Sequence, residues 1–133
     1  MQVRVKICGI TNLDDALAAV AFGADALGFV FFQESPRYVP YDDAASIIRK
    51  LPPFITTVGV FVNEKPEQIE KITSWTGIDV IQLHGDEPPS QCSFSRRVIK
   101  AIRVKSLESL DPIIHYQEKV SAYKNCLGRI FCV

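Results

Sequence analysis

Three residues in this chain pair a reactive group with a place where chemistry could be done: Cys8, Arg37 and His84. Cys8 closes the run Val3-Arg4-Val5-Lys6-Ile7-Cys8-Gly9. A thiol acts as a base or nucleophile once it is a thiolate, and a nearby cation favours that form. Lys6 lies two residues back, about 6.6 Å along an extended strand and on the same face. A lone strand cysteine is otherwise a small buried hydrophobe, so its company decides. Arg37, in Ser35-Pro36-Arg37-Tyr38, offers a planar fork that suits a carboxylate or phosphate, with Tyr38 able to position it. The plainer alternative is a solvated loop arginine. His84, in Gln82-Leu83-His84-Gly85, could donate to a ligand or titrate near neutrality, or serve only as a hydrogen-bonded part of the frame. Asn63, after Val60-Phe61-Val62, reads as a helix-entry or turn residue.

These residues need elements to hold them. Val3, Val5 and Ile7 alternate with Arg4, Lys6 and Cys8, the period of a strand. Gly9 ends it, and Thr11 with Asp14 has the form of a capping box opening a helix with Leu13, Ala16, Leu17, Val20 and Ala21 as its stripe. Gly23 suits the residue after that helix. Asp25 to Phe32 is a near-continuous apolar run, as in a strand covered on both faces. Gln33 to Pro40 is a loop broken by two prolines. Tyr41 to Leu51 reads as a helix stopped by Pro52-Pro53, Ile55 to Val62 as a strand, and Pro66 to Trp75 as a helix. Strands follow at Ile78 to His84 and Arg97 to Val104, with helices around Gln91 and from Ser106 to Glu118. Val120 to Tyr123 begins a further strand.

Strand then helix, repeated, predicts an α/β protein with a parallel sheet. On length, an open flavodoxin-like sheet suits 133 residues, since a complete (β/α)₈ barrel takes about 200 or more. The faces point the other way. Lys6 and Cys8 stand opposite the valines, Gln82 and His84 opposite Ile81 and Leu83, and Lys100 opposite Ile99 and Ala101. One face packs under helices while the other gathers polar groups near strand ends, as a barrel interior does.

Composition narrows the function. Lys plus Arg and Asp plus Glu number 15 each, so the formal net charge is zero. No basic run suggests nucleic acid or a membrane surface. There is no N-terminal apolar leader and no stretch near the ~20 apolar residues of a membrane span, so a cytoplasmic protein is expected. Cys8, Cys92, Cys126 and Cys132 form no C-x-x-C, and neither His84 nor His115 completes a zinc spacing, which leaves reduced thiols and no metal. Gly-rich phosphate loops and a nucleophile elbow are absent.

The ordered set Val5-Lys6-Ile7-Cys8-Gly9-Ile10-Thr11, Gly23-Ala24-Asp25 to Gly28-Phe29-Val30-Phe31, Ser35-Pro36-Arg37-Tyr38, Val58-Gly59-Val60-Phe61-Val62-Asn63 and Val80-Ile81-Gln82-Leu83-His84-Gly85 resembles phosphoribosylanthranilate isomerase, a (β/α)₈ TIM-barrel family of tryptophan biosynthesis. The resemblance runs from about Gln2 to Tyr123. It implies an Amadori rearrangement of N-(5-phosphoribosyl)anthranilate, an aminoaldose, to an aminoketose, without cofactor or metal. By the resemblance Cys8 is the general base, Arg37 faces the anthranilate end, and His84 lines the same site.

The family's general acid is an aspartate ending the sixth strand. Counting on from Tyr123, those places hold Lys124, Asn125 and Cys126, and a thiol of pKa about 8.5 is a weak acid. Residues 1–123 therefore read as the N-terminal part of an incomplete barrel, five βα units plus the start of a sixth, and 124–133 as a divergent tail of a C-terminally truncated or frame-shifted member. The phosphate loops after strands seven and eight are missing. The expected partner is a small phosphorylated substrate. Unpaired strand edges also predict self-association, and a non-catalytic half-barrel that pairs with itself or another chain is the alternative to an isomerase.

Overall fold

The computed structural model describes residues 3–117, 119, 120 and 130–132. Its framework is a parallel sheet of β1 (Arg4–Cys8), β2 (Ala26–Val30), β3 (Thr56–Phe61), β4 (Val80–Leu83) and β5 (Arg97–Lys100), joined by a short β6 (Ile130–Cys132). The spatial order is β5-β4-β3-β2-β1-β6. Three crossover helices connect the first four strands: α1 (Leu13–Ala21), α2 (Tyr41–Ile48) and α3 (Pro66–Thr76). A flavodoxin-like sheet would place the first strand between the second and third. Here strands one to five follow in chain order, as in a barrel wall. The fold is a partial barrel, and the face pattern is a better guide to it than the length.

Register sets what each face holds. Cys8, Gly28, Val58 and Val80 form one row across the sheet, and Val30, Val60, Gln82 and Ile99 another. Leu27, Phe29, Phe61, Ile81 and Leu83 point the opposite way and are at most 1% exposed. They join Ala16, Ala44, Ile69 and Ile72 of the helices in one core. Fully burying a side chain of this size contributes about 1.5–3 kcal/mol, so the helix-facing side carries most of the apolar stabilisation. At the amino-terminal edge the same latch occurs twice. Asp25 accepts from the Val5 N–H at 2.7 Å, and Asp79 from the Thr57 N–H at 2.8 Å. Each ties the start of one strand to its neighbour, and Asp25, expected within the second strand, precedes it.

Several expectations need correction. The N-cap of α1 is Asn12, extended at φ −145°, whose Oδ1 accepts from Asp15 N at 2.8 Å; the Thr11–Asp14 box is off by one. α2 ends at Ile48, before the double proline. The helix expected around Gln91 is a single 3₁₀ turn, Pro89–Gln91, where adjacent prolines remove N–H donors. The one from Ser106 is a 3₁₀ turn, Leu107–Leu110, followed by α4 (Ile113–Tyr116). β5 stops at Lys100 rather than Val104. Lys100 also lies in register with Leu83, on the helix-facing side, so strand five does not share the inward polar face of strands one and four.

The tail behaves differently from the expectation of an open edge. β6 runs parallel to β1, from Arg4 opposite Ile130 to Lys6 opposite Cys132. It occupies the flank that the last strand takes in a closed barrel. Val120 is not in a strand. The rest of the expected sixth strand, 121–123, and the positions of the expected acid, Lys124, Asn125 and Cys126, lie outside the described residues. Among the described residues, no strand pairs with the outer edge of β5.

Candidate active site

Cys8 ends β1 half-buried, with Gly28 of β2 beside it in register. A β-carbon on Gly28 would stand 2.8 Å from the Cys8 Sγ, so glycine makes the room that the thiol occupies. The chain then turns at Gly9 with φ +91°, a conformation that glycine adopts without strain. The N–H groups of Gly9 and Ile10 both donate to the Gly28 carbonyl, at 2.9 and 3.0 Å. This keeps the end of β1 pinned to β2.

The loop after β2 folds back over that turn. Val39 N donates to Val30 O at 3.0 Å, and Tyr38 bridges to Val30. Ser35 Oγ accepts from Arg37 N at 3.2 Å. These bonds aim the Arg37 side chain across Gly9, where its Nη1 donates to the Cys8 carbonyl at 3.0 Å. The guanidinium is exposed and keeps most of its five donors free for a ligand. Tyr38 thus acts through the backbone of the loop.

His84 follows β4, its N–H continuing the ladder to Phe61 O at 2.8 Å. The Gln82 amide nitrogen faces its Nδ1 at 3.0 Å. An amide nitrogen can only donate, so Nδ1 accepts and the neutral ring carries its proton on Nε2. Partial desolvation lowers the pKa of His84, the fields of Lys6, Lys100 and Arg103 lower it further, and Glu87 pulls weakly the other way. The ring is therefore a neutral donor at neutral pH. His84 stands three strands from Cys8, and no hydrogen bond among the described residues joins it to Cys8 or Arg37. Cys8 and Arg37 meet directly; His84 shares only their edge of the sheet.

A cleft of about 1030 Å³ opens at His84, with Lys6, Asn63, Gln82, Lys100 and Arg103 also in its wall; Cys8 and Arg37 are not among its lining residues. A hollow of about 460 Å³ between α2 and α3 on the outer wall holds none of the candidate residues. Among the described residues no group of His, Cys, Asp or Glu could hold a metal ion, Cys8 and Cys92 are free thiols, and no helix is long and apolar enough to cross a membrane.

Sequence reasoning left the clamp behind His84 unseen. Glu87 is 3% exposed. Its carboxylate accepts from Asn63 N at 2.8 Å, Gly85 N at 3.0 Å and Lys100 Nζ at 2.8 Å. Burial pushes this carboxyl up, but the Lys100 ammonium and the N–H donors outweigh that and hold it below its ordinary value. Asn63, at φ +50°, accepts from Asp86 N at 2.8 Å. Asn63 is thus a turn residue, as expected, but one that ties two strand-end loops together. The available signal was an acid just beyond Gly85 and a lysine at a strand end; only the fold places them on each other.

The family model described as N-(5′-phosphoribosyl)anthranilate (PRA) isomerase matches residues 5–125. The Geobacter sulfurreducens N-(5′-phosphoribosyl)anthranilate isomerase is 61% identical over 117 residues, covering 87% of this chain and 58% of its own length. The crystal structure of phosphoribosyl anthranilate isomerase from Thermotoga maritima superposes with a TM-score of 0.85 at 48% identity, covering 88% of this chain and 58% of that one. A crystal structure of a phosphoribosyl anthranilate isomerase in complex with reduced 1-(o-carboxyphenylamino)-1-deoxyribulose 5-phosphate also gives a TM-score of 0.85 and 48% identity, covering 88% and 62% of the respective chains. The chain thus spans a little under three fifths of the length of its G. sulfurreducens relative.

Proposed function

The chain belongs to the N-(5′-phosphoribosyl)anthranilate isomerase family, and from that premise we propose that β1 to β4 carry the base-bearing part of an isomerase site in tryptophan biosynthesis. The substrate is N-(5-phosphoribosyl)anthranilate, the reaction an aldose–ketose isomerisation, and the setting cytoplasmic. An acid protonates the furanose oxygen and the ring opens to a Schiff base at C1. Cys8 then takes the proton from C2, and the electron pair of that C–H bond moves into the C1–C2 bond as the imine becomes an enamine. Tautomerisation leaves a ketone at C2 and an amine at C1. One carbon is oxidised and its neighbour reduced, so the balance needs no external oxidant. Arg37 holds the anthranilate carboxylate, and the Nε2–H of His84 donates to the sugar.

The observation that carries this reading is the 3.0 Å bond from Arg37 Nη1 to the Cys8 carbonyl. It brings an anion-binding fork to the backbone of the residue whose thiol must reach C2, and a base has to lie within hydrogen-bond reach of its proton. The test is isomerase turnover, followed by the loss of anthranilate-type fluorescence, with the chain alone and with the C-terminal part of a family relative added. Activity in either mixture that Cys8→Ala abolishes supports the proposal. Activity that survives Cys8→Ala overturns the role of Cys8, and no activity in either mixture overturns the proposal itself.

A second reading, a non-catalytic half-barrel that binds another copy or another chain, is favoured by the β5 side. No described strand covers that edge, and Val104, Leu107 and Ile114 nearby are 58%, 81% and 64% exposed. Association without any rescued turnover would favour it.

A further inference from the structure

Two buried lysines of the sheet are treated differently by the fold: Lys100 ends β5, while Lys6 stands in the middle of β1, in register with Ala26 at the start of β2. Lys100, 6% exposed, has its ammonium on Glu87 Oε2 at 2.8 Å and on the Gly85 carbonyl. Lys6 is 4% exposed, and its Nζ has no hydrogen-bond partner among the described residues. It belongs to neither of the ion pairs among the described residues, Arg4–Asp25 and Lys100–Glu87. A buried ammonium without a counter-charge or acceptor is costly, because it has left water and gained nothing in exchange. The Lys6 side chain lies on the inward face with Cys8 and forms part of the wall of the 1030 Å³ cleft, along with Gln82, His84 and Arg103. Lys6, Lys100 and Arg103 all act on His84 in the same direction, against Glu87, and Asp86 stands in the same wall.

We propose that Lys6 is an anion-binding residue of the cleft, held unpartnered so that an oxyanion of the ligand, a carboxylate or a phosphate, supplies its missing counter-charge. This rests on the isomerase reading for the identity of the ligand, which carries both groups, but the binding site itself does not depend on turnover. A structural lysine and a ligand-holding lysine differ in a measurable way. Replacing a lysine that supports the fold lowers stability. Replacing one that pays an unreturned desolvation cost raises stability and removes binding.

The experiment uses the full chain, Lys6→Met and Lys6→Arg. Each is titrated by calorimetry with anthranilate, as the aryl carboxylate, and separately with inorganic phosphate, and each is melted without ligand. The expected result is saturable binding of at least one anion by the native chain. Lys6→Met should weaken it by about tenfold or more, while Lys6→Arg retains it, and Lys6→Met should melt at a higher temperature than the native chain. Anthranilate binding alone assigns the subsite to the carboxylate, and phosphate binding alone to the phosphate. If neither anion binds the native chain, if Lys6→Met binds as well as the native chain, or if Lys6→Met melts at a lower temperature, the proposal is overturned. A chain that binds anions through Lys6 but shows no turnover when complemented would overturn only the isomerase reading.

Discussion

At the scale of single residues, His84 shows how surroundings choose a protonation state. Desolvation and a cluster of cations hold its pKa below 6.5. The folded chain therefore binds this proton less readily than the unfolded chain. The contribution of the group to stability is fully present above pH 6.5 and is lost as the pH falls through the folded value. An NMR titration of the ring should give a midpoint below 6.5, and Lys6→Met should move it upward by removing one of the cations; a midpoint at or above 6.5 would contradict the geometry. Gly28 is the counterpart at Cys8. A β-carbon there would lie 2.8 Å from Sγ and 3.2 Å from the Cys8 Cα. Overpacking of this kind costs about 1–3 kcal/mol, so Gly28→Ala should lower the urea midpoint of unfolding. It should also change the alkylation rate of Cys8, because the thiol is the atom that must give way.

At the scale of elements, the loops after β3 and β4 and the strand β5 are held as one unit by Glu87 and Lys100. Removing one member of a buried, hydrogen-bonded pair leaves the other charge without compensation, at about 3–5 kcal/mol. Lys100→Met should therefore destabilise strongly, and Glu87→Gln with Lys100→Met should recover much of the loss. Additive destabilisation in that double-mutant cycle would mean that the pair is not a coupled unit. The carboxyl of Glu87 sits below its ordinary value of 4.5, so the folded state releases this proton more readily than the unfolded one. Its contribution is present above pH 4.5 and is lost as the pH falls through the folded pKa; in Glu87→Gln the acid limb of the stability–pH profile should flatten. The crossover helices were readable because their apolar stripes and flanking Gly and Pro residues are local signals. The connections around Pro89 and Pro112 are shorter than the expected helices: Leu107, Leu110 and Ile114 repeat at a helical spacing, but the prolines leave too few N–H donors for more than single turns.

At the scale of the whole molecule, the two sheet edges differ. β6 covers β1, while the outer edge of β5 has no partner among the described residues. The unpaired backbone groups of that edge offer a template for another chain, and Leu107 and Ile114, in the segment that follows β5, are exposed. Sedimentation velocity should therefore show association that grows with concentration, and adding the C-terminal part of a family relative should suppress it. A chain that stays monomeric at high concentration would show that the β5 edge is protected.

Local order along the chain was enough to establish the strands β1 to β5 and the helices after the first three, the inward face shared by Lys6, Cys8 and Gln82, the strand-end positions of Cys8 and His84, and membership of the family. Each follows from periodicity or from contiguous motifs, which are properties of neighbouring residues. Tertiary structure alone decided that Arg37 lies across Gly9 onto the Cys8 carbonyl, that Glu87 captures Lys100 but leaves Lys6 without a partner, and that residues 130–132 pair with β1. Those facts join residues far apart in the chain, and no local pattern specifies which buried charge will find a partner once the strands are side by side.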